Sequence, residues 1–204
     1  YAAAQFDALP PTDPDKRTVD LMFAGNVGAA QSLETVLQAA ELLRGETALR
    51  WHIVGDGSEL EHLKALAAEK QLDSVIFHGR KPPEEMPALY TMADAMLVTL
   101  TRDPFISLTL PGKVQTYMAA GKPVLAAARG EIPQVIAAAA CGWCADAGDA
   151  KGLADIALKF MHSSEKKQLG ENARRYYEQH FTRERFMATL EDELRRCAGQ
   201  ENDA

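Results

Sequence analysis

The stretch VDLMFAGNVGAAQSLETVLQAAELL, residues 19–43, decides the fold class of this 204-residue chain. Its first six residues are rich in apolar side chains and predict a strand over 19–24, which Gly25 ends. Apolar residues then recur at the spacing of an amphipathic helix over about 31–44, namely Leu33, Val36, Leu37, Ala40 and Leu43. A strand joined to a helix by a glycine loop is the repeating unit of a parallel α/β sheet.

The same alternation continues along the chain. Further strands are predicted at 49–54, 75–78, 95–100, 123–128 and 143–146. Helices are predicted between them, including one capped by Ser58, one starting at Pro82-Pro83 and one over 131–139. Strands that are apolar on both faces need helices on both sides. The right-handed crossover rule then favours a doubly wound, Rossmann-like parallel sheet.

The two ends of the chain differ from this alternating region. Residues 1–18 are rich in Pro, Asp and Ala and predict a linker from a preceding domain, while 19–162 form the Rossmann-like domain. Charged helices around 164–179 and 183–197 predict a C-terminal helical appendage over 163–197. Residues 198–204 are expected to be a disordered tail.

Composition excludes several functional classes. The formal net charge of −7 argues against a general nucleic-acid or anionic-membrane surface, and no window is apolar enough for a membrane span. Three cysteines in a domain of this size suggest the reducing cytoplasm. Cys141 and Cys144 have C-x-x-C spacing but lack a second pair of ligands, so we predict two small apolar residues beside a turn and no metal or other cofactor.

Glycine loops follow most of the predicted strands, at the edge of the sheet where ligands bind in such folds. Gly55 and Gly79 each come directly after a strand, and Gly25-x-x-Gly28 lies between a strand and a helix. Backbone N–H groups of this last loop could hold a phosphate. The glycines could equally serve a tight turn, and the sequence leaves both interpretations open.

Lys113 is the sharpest candidate for a binding residue. It lies near the start of the predicted helix in LPGKVQTYMAAG, residues 110–121, where a cation is unfavourable unless an anion shares the site. The alternative is a solvated surface lysine. His78 is the one histidine at a strand end beside a candidate loop and is expected to be structural. No Ser/His/Asp or Cys/His constellation is visible.

Several runs together are similar to the C-terminal half of retaining GT-B glycosyltransferases. The resemblance covers about residues 19–190 and is strongest toward the branch that transfers N-acetylated amino sugars in bacterial O-antigen and capsule synthesis. Its motifs are FAGNVGAAQSLETVLQAAELL (23–43), WHIVGDGSELEHLKALAAE (51–69), VIFHGRKPPEEMPALYTMADAMLVTL (75–100), LPGKVQTYMAAGKPVLAAARGEIPQVI (110–136) and CGWCADAGDAKGLADIAL (141–158).

The resemblance implies that this half binds a nucleoside-diphosphate sugar, preferably a UDP-sugar, while an absent N-terminal half binds a glycan or lipid-linked acceptor. It implies a cytoplasmic enzyme, with any peripheral contact to the inner membrane made by the absent half. It assigns Lys113 to the diphosphate as the catalytic cation. The implied donor contacts are the loops at Gly25, Asn26, Gly28, Gly55, Gly79, Arg80, Lys81 and Glu131, with Ser107, Leu108 and Thr109 near the sugar and Gln115 and Thr116 near the ribose.

The chain also departs from this family pattern. Many relatives carry two glutamates seven residues apart, and Leu108 and Thr116 stand at those positions here. Asn26 replaces a common phosphate-binding arginine, and Ala29 a second basic residue. Either this branch holds the donor differently, or the chain is a degenerate, non-catalytic binding domain. A nucleotide-sugar epimerase of the same fold is a further alternative. As given, the chain is expected to bind donor without turnover.

Overall fold

The computed structural model describes Phe6 and residues 16–200, with only the backbone of residues 199 and 200. Six strands form one parallel sheet in the order β3-β2-β1-β4-β5-β6. This order confirms the doubly wound, Rossmann-like α/β fold. The strands are β1 (Val19–Ala24), β2 (Leu49–Val54), β3 (Val75–Gly79), β4 (Ala95–Thr99), β5 (Val124–Ala127) and β6 (Gly142–Ala145).

Helices follow every strand and cover both faces of the sheet. They are α1 (Glu34–Leu42), α2 (Leu60–Glu69), α3 (Met86–Met92), α4 (Gly112–Ala119), α5 (Glu131–Ala139), α6 (Ala150–His162), α7 (Lys166–His180) and α8 (Arg183–Gln200). Short 3₁₀ turns lie at Ala29–Gln31 and Ile106–Leu108.

Two apolar layers form because successive strand side chains point to opposite faces. Leu21 and Phe23 face a core shared with α1, α2 and α6. Met22 and Ala24 face the other core, which α3, α4, α5 and α7 close, with Tyr117 of α4 fully buried in it.

The sheet is weakly joined at its centre. Strand β1 pairs with β2 along its whole length, but it pairs with β4 only at Leu21↔Ala95 and Met22↔Met96. Strand β4 stays paired with β5 as far as Thr99. The two strands therefore separate toward their carboxyl ends, at the point where the strand order reverses and a crevice is expected.

Some sequence-based boundaries need correction. The helix expected to be capped by Ser58 begins at Leu60 after Glu59, with no side-chain cap, because the Ser58 hydroxyl donates to Glu59 instead. Helix α8 continues past residue 197 to Gln200. Most of the expected linker, 1–5 and 7–15, and the tail residues 201–204 lie outside the described residues. The domain limits themselves stay predictions.

The C-terminal helices differ in how they contact the sheet domain. Helix α7 lies against α4 and α5, with Ala173 buried. Helix α8 exposes a row of large apolar side chains: Phe186, Met187, Leu190 and Leu194. In the described part of the chain, no helix is both long and apolar enough to cross a membrane.

Candidate functional site

A cleft of about 430 Å³ lies at the carboxyl ends of β1, β2 and β3. Three loops and one helix, α3, form its walls, so it occupies the edge where a doubly wound sheet binds ligands. Its lining residues are Ala24, Gly25, Asn26, Val54, Gly55, Asp56, Arg80, Lys81, Met86 and Tyr90. Gly25, Asn26, Gly55, Arg80 and Lys81 were predicted as donor contacts from the sequence.

The loops after β1 and β2 are locked together. A Cβ atom on Gly55, where φ is +140°, would lie 1.8 Å from the carbonyl oxygen of Gly25. The Val27 amide donates to the Asp56 carbonyl over 2.8 Å, and the Glu59 amide donates to the Val27 carbonyl over 3.0 Å. Gly55 is therefore needed for the close approach of the two loops, which supports the tight-turn interpretation at this position.

Gly25 lies next to Lys113. With φ at +152°, Gly25 has a backbone conformation that side chains disfavour, and a Cβ atom there would lie 3.2 Å from the Lys113 Nζ atom. Lys113 is in the first turn of α4, whose start has no side-chain cap. The fold thus brings the predicted cation against the predicted phosphate loop, although the two are distant in sequence.

The Lys113 ammonium is held by weak partners. It donates to the side-chain carbonyl of Gln31 and lies 4.1 Å from the centre of the Phe23 ring. Within the described residues no carboxylate forms an ion pair with it, and burial lowers its pKa to about 8. An ammonium has three hydrogens to donate, so a positive charge with spare donor capacity faces the Gly25 loop.

The loop after β3 supplies two further cations. Gly79 has φ at +66° with open space where a Cβ would lie, and its carbonyl accepts from the Gly55 amide over 2.9 Å. Arg80 is exposed, and Lys81 Nζ lies 3.5 Å from a carboxylate oxygen of Glu85. Both line the cleft together with the Asp56 carboxylate, so its lining carries two cations and one anion in a chain of negative net charge.

The other predicted donor contacts form a separate group. A Cβ on Gly130, just before Glu131 in α5, would lie 1.9 Å from the Ser107 carbonyl oxygen, so these loops touch each other. The hydroxyls of Ser107 and Thr109 donate to the Pro104 and Ile106 carbonyls, and Leu108 is 72% exposed. None of these residues, nor Gly28, is part of the cleft lining.

Gln115 and Thr116 also lie outside that lining. The Thr116 hydroxyl donates to the Gly112 carbonyl over 3.2 Å, one helical turn back. Tyr117, by contrast, is on the same helical face as Lys113 and reaches β1. Contact of Gln115 or Thr116 with a ribose stays a prediction.

Sequence reasoning missed several residues of this region, among them Gln31, Met86, Tyr90 and Tyr117. Tyr117 carried a usable signal, since it lies one turn after Lys113. Gln31 could have been suspected because it closely follows the glycine loop. Met86 and Tyr90 gave no signal, because an apolar face of a short helix looks the same whether it meets a core or a cleft.

A polar chain that the sequence did not reveal lies on the same face of the sheet. Asp20 accepts from His52 Nε2 over 2.8 Å, and His52 Nδ1 lies 2.8 Å from His78 Nε2. Lys16 bridges Asp20 and Asp94, at 2.7 Å from each. Although burial opposes it, hydrogen bonds from His52 and Lys16 lower the pKa of Asp20 to about 2, and burial lowers the pKa of His78.

The cysteines occupy apolar or exposed positions. Cys141 is fully buried, and burial raises the pKa of its thiol to about 12. Burial also raises the pKa of Cys144. A thiol held in its neutral form is a poor nucleophile and a poor metal ligand. Among the residues that the structure describes, no group of three His, Cys, Asp or Glu side chains could hold a metal ion.

The known proteins to which this chain is similar in sequence include bacterial glycosyltransferases. The chain is 35% identical over 136 residues to the probable glycosyltransferase WbjE of Pseudomonas aeruginosa. The aligned residues make up 66% of this chain and 34% of that protein. The chain therefore spans about a third of the length of this relative.

Solved structures share the fold. Sucrose-phosphate synthase from Thermosynechococcus elongatus superposes with a TM-score of 0.78 at 21% identity, over 98% of this chain and 50% of that one. HepE from Anabaena, in complex with UDP and glucose, superposes with a TM-score of 0.75 at 17% identity, over 98% of this chain and 55% of that one. The family described as glycosyl transferases group 1 matches residues 8–176, most of the sequence, and this chain belongs to that family.

Proposed function

We propose that this chain is the donor-binding part of a retaining glycosyltransferase that uses a UDP-sugar. The acceptor is a glycan or a lipid-linked saccharide bound by a further domain, and the pathway is cytoplasmic synthesis of a bacterial surface polysaccharide. The motif runs of the amino-sugar transferase branch support this pathway, and the UDP in the HepE structure supports the choice of nucleotide.

One observation carries the proposal: the Lys113 ammonium faces the Gly25 loop without a carboxylate partner in the described part of the chain. A partly buried cation without an anion has lost hydration, and one amide oxygen and one aromatic ring replace only part of it. A nucleoside diphosphate supplies the missing charge, and its phosphate oxygens accept hydrogen bonds from the ammonium and from loop amides.

The cleft beside Lys113 has the size and composition of a nucleotide site. Its volume of about 430 Å³ falls within the usual range for small-molecule pockets. Tyr90 and Met86 offer an apolar wall, while Arg80 and Lys81 add positive charge at the rim. A nucleobase in the cleft and a diphosphate at Gly25 would place the sugar toward the loops after β4 and β5.

The chemistry follows from charge development on the leaving group. An acceptor hydroxyl forms a bond to the anomeric carbon with net retention, the bond from that carbon to the diphosphate oxygen breaks, and the acceptor proton is lost to solvent or a base. Negative charge grows on the departing UDP. Lys113 is already oriented toward that charge, so it stabilises the transition state without reorganisation.

Titration calorimetry of the 204-residue chain with UDP, GDP and ADP tests the proposal. We expect millimolar or tighter binding with preference for UDP, and Lys113→Ala should weaken UDP binding at least tenfold, or about 1.4 kcal/mol. Arg129→Ala is the matched control, because Arg129 is an exposed cation engaged with Asp146 and does not line the cleft.

A non-catalytic binding domain is the second candidate. The uncharged Thr116 and Leu108, neither of which lines the cleft, favour it, since no carboxylate from either position is available to grip a ribose. Equal binding of the three nucleotides, or no loss on Lys113→Ala, would contradict donor binding. Either result would favour the non-catalytic binding domain.

A further inference from the structure

The end of strand β1 lacks a strand partner on one side. The ladder between β1 and β4 stops at Met22↔Met96, although β1 continues to Ala24. The N–H and C=O groups of one residue in a strand point to the same side. Both polar groups of Ala24 thus face the gap between β1 and β4, in a region where Ala24 is only 4% exposed.

The Tyr117 hydroxyl fills this gap. It accepts a hydrogen bond from the Ala24 amide over 3.0 Å and donates one to the Ala24 carbonyl over 2.8 Å. The side chain is fully buried, and burial raises the pKa of the phenol, so it keeps the proton that it donates. A single hydroxyl therefore takes the place of the β4 backbone at Ala24.

Tyr117 and Lys113 form one contact surface on α4. They are four residues apart, so both lie on the same face of the helix. Lys113 touches the Phe23 ring and the Gly25 backbone, and Tyr117 holds Ala24 between them. Phe23 and Ala24 of β1 and Gly25 directly after it thus lie along one face of α4, and the Tyr117 bonds fix the distance between helix and strand.

Tyr117 also contacts the cleft wall. Its ring meets the edge of the Tyr90 ring, with centroids 5.8 Å apart and planes at 79°, and Tyr90 lines the cleft. The Tyr117 hydroxyl points to β1 rather than into the cleft. The residue is thereby placed to act on a ligand through its neighbours.

We propose that Tyr117 is a positioning residue, whose hydroxyl sets the spacing between the Gly25 loop and the Lys113 ammonium so that one diphosphate can contact both. The inference deepens the proposed donor binding and rests on it. It predicts that the hydroxyl matters for the phosphate part of the ligand, while the Tyr117 ring, which supports Tyr90, matters for the nucleobase part.

The test compares UDP with uridine, which has no phosphate. Tyr117→Phe keeps the ring and removes the hydroxyl. We expect UDP affinity to fall about tenfold, which corresponds to about 1.4 kcal/mol, while uridine affinity stays within about twofold. In a Lys113→Ala background, Tyr117→Phe should change UDP affinity by less than about twofold, since the two residues act on the same group.

Tyr177→Phe is the matched control. Tyr177 is a partly buried tyrosine of α7 that packs against the same apolar core and does not line the cleft. It should leave the UDP-to-uridine ratio unchanged. Equal loss of UDP and uridine with Tyr117→Phe would overturn the inference, because it would show general damage to the cleft. Unchanged UDP binding with Tyr117→Phe would also overturn it.

A measurement on the unaltered chain covers the case in which Tyr117→Phe does not fold. Saturating UDP should slow hydrogen exchange of the Ala24 amide at least about tenfold, and saturating uridine should not, because of the two ligands only UDP carries a diphosphate that adds to the Tyr117 contacts between α4 and the end of β1. Equal effects of the two ligands would refute the positioning role. If UDP binds no tighter to the unaltered chain than to Lys113→Ala, the proposed function fails, whereas loss of the Tyr117 effects alone removes only this inference.

Discussion

Two lysines at opposite ends of α4 provide an informative comparison. Lys113 lies in the first turn and Lys122 just beyond the last, and burial lowers the pKa of each to about 8. Lys122 donates to the carbonyls of Thr91 and Ala93 over 3.1 and 2.7 Å, and the nearby Asp94 carboxylate favours its charged form. The partners of Lys113 are the side-chain amide of Gln31, to which it donates, and the aromatic ring of Phe23, over which it lies.

The difference distinguishes a cation with structural partners from the cation that we propose binds the donor. Both ammonium groups lose hydration, but of the two only Lys122 receives backbone acceptors in return, which tie the end of α4 to the last turn of α3 and the residue after it. Backbone acceptors are fixed and need no ligand. Lys113 instead depends on polarizable or movable groups, an arrangement that an incoming anion can improve at little structural cost.

The largest expected loss of stability comes from adding a methyl group to a glycine in the surroundings of each lysine. Gly55→Ala would place a Cβ 1.8 Å from the Gly25 carbonyl oxygen, near Lys113, at a φ of +140°. We expect the free energy of unfolding to fall by about 3–5 kcal/mol, from steric overlap and backbone strain together, and UDP binding to be lost. Urea unfolding and calorimetry measure the two effects.

Gly170→Ala is the counterpart at the Lys122 end. A Cβ there would meet the Gly121 carbonyl oxygen at 2.4 Å, between α7 and the turn after α4. The free energy of unfolding should fall by about 1–3 kcal/mol, and UDP affinity should hold in the folded fraction. Loss of UDP binding in this variant would show that the two ends of α4 are not separable.

Replacing each lysine by methionine tests the comparison directly. Lys122→Met removes the ammonium that donates to the Thr91 and Ala93 carbonyls, so the free energy of unfolding should fall by about 1–3 kcal/mol. Lys113→Met removes a desolvated charge that lacks backbone acceptors, so the free energy of unfolding should hold or rise, by up to about 3 kcal/mol. Chemical denaturation of the two variants in parallel ranks their free energies of unfolding. A lower value for Lys113→Met than for Lys122→Met would contradict the assigned difference between the two lysines.

The two lysines also differ in their effect on pH dependence. A lysine whose pKa falls from 10.5 to about 8 on folding binds fewer protons in the native state than in the unfolded state at intermediate pH. Stability should therefore rise as pH increases from about 8 to 10.5, and each methionine variant should lose part of that rise.

UDP binding should show the opposite trend. Because Lys113 loses its charge above pH 8, UDP affinity should fall as pH rises through that value in the unaltered chain and in Lys122→Met. Lys113→Met should bind weakly with no such pH dependence. Calorimetry at several pH values from about 7 to 10 measures this, and a pH response retained in Lys113→Met would assign the titration to another group.

The smallest expected effect concerns Thr116, in the middle of α4. Its hydroxyl makes one local bond to Gly112, so Thr116→Glu should change the free energy of unfolding by less than about 0.5 kcal/mol. If a ribose lies there, UDP affinity should rise or hold, because a carboxylate accepts two hydroxyl hydrogen bonds. A clear fall in UDP affinity in calorimetry would place the ribose elsewhere.

The fold was predictable because the alternation of apolar strands and amphipathic helices is strong. The bounds of β1, β2 and α5 agree with the sequence prediction. The Ser58 cap failed because a preference for capping does not say which residue starts the helix. Helix bounds depend on loop contacts, such as that of Glu59 with Val27, which local sequence does not encode.

The site was predictable only in part. That Lys113 and Gly25 lie at the same sheet edge follows from strand direction, but their contact depends on how closely α4 approaches β1. The chain from Asp20 through His52 to His78 was not visible, because its members come from three strands whose relative register is not encoded locally. The resemblance placed Thr116 near the ligand, whereas Thr116 is not among the residues that line the cleft.

The short pairing between β1 and β4 has a mechanical consequence. Strands β3, β2 and β1 form one plate and β4, β5 and β6 another, and the strand ladder between these plates covers Leu21↔Ala95 and Met22↔Met96. Gly25 belongs to the first plate, and α4, with Lys113, connects strands of the second. A diphosphate held between them would brace this short junction, so we expect the loaded protein to resist a pulling force across it better than the free one.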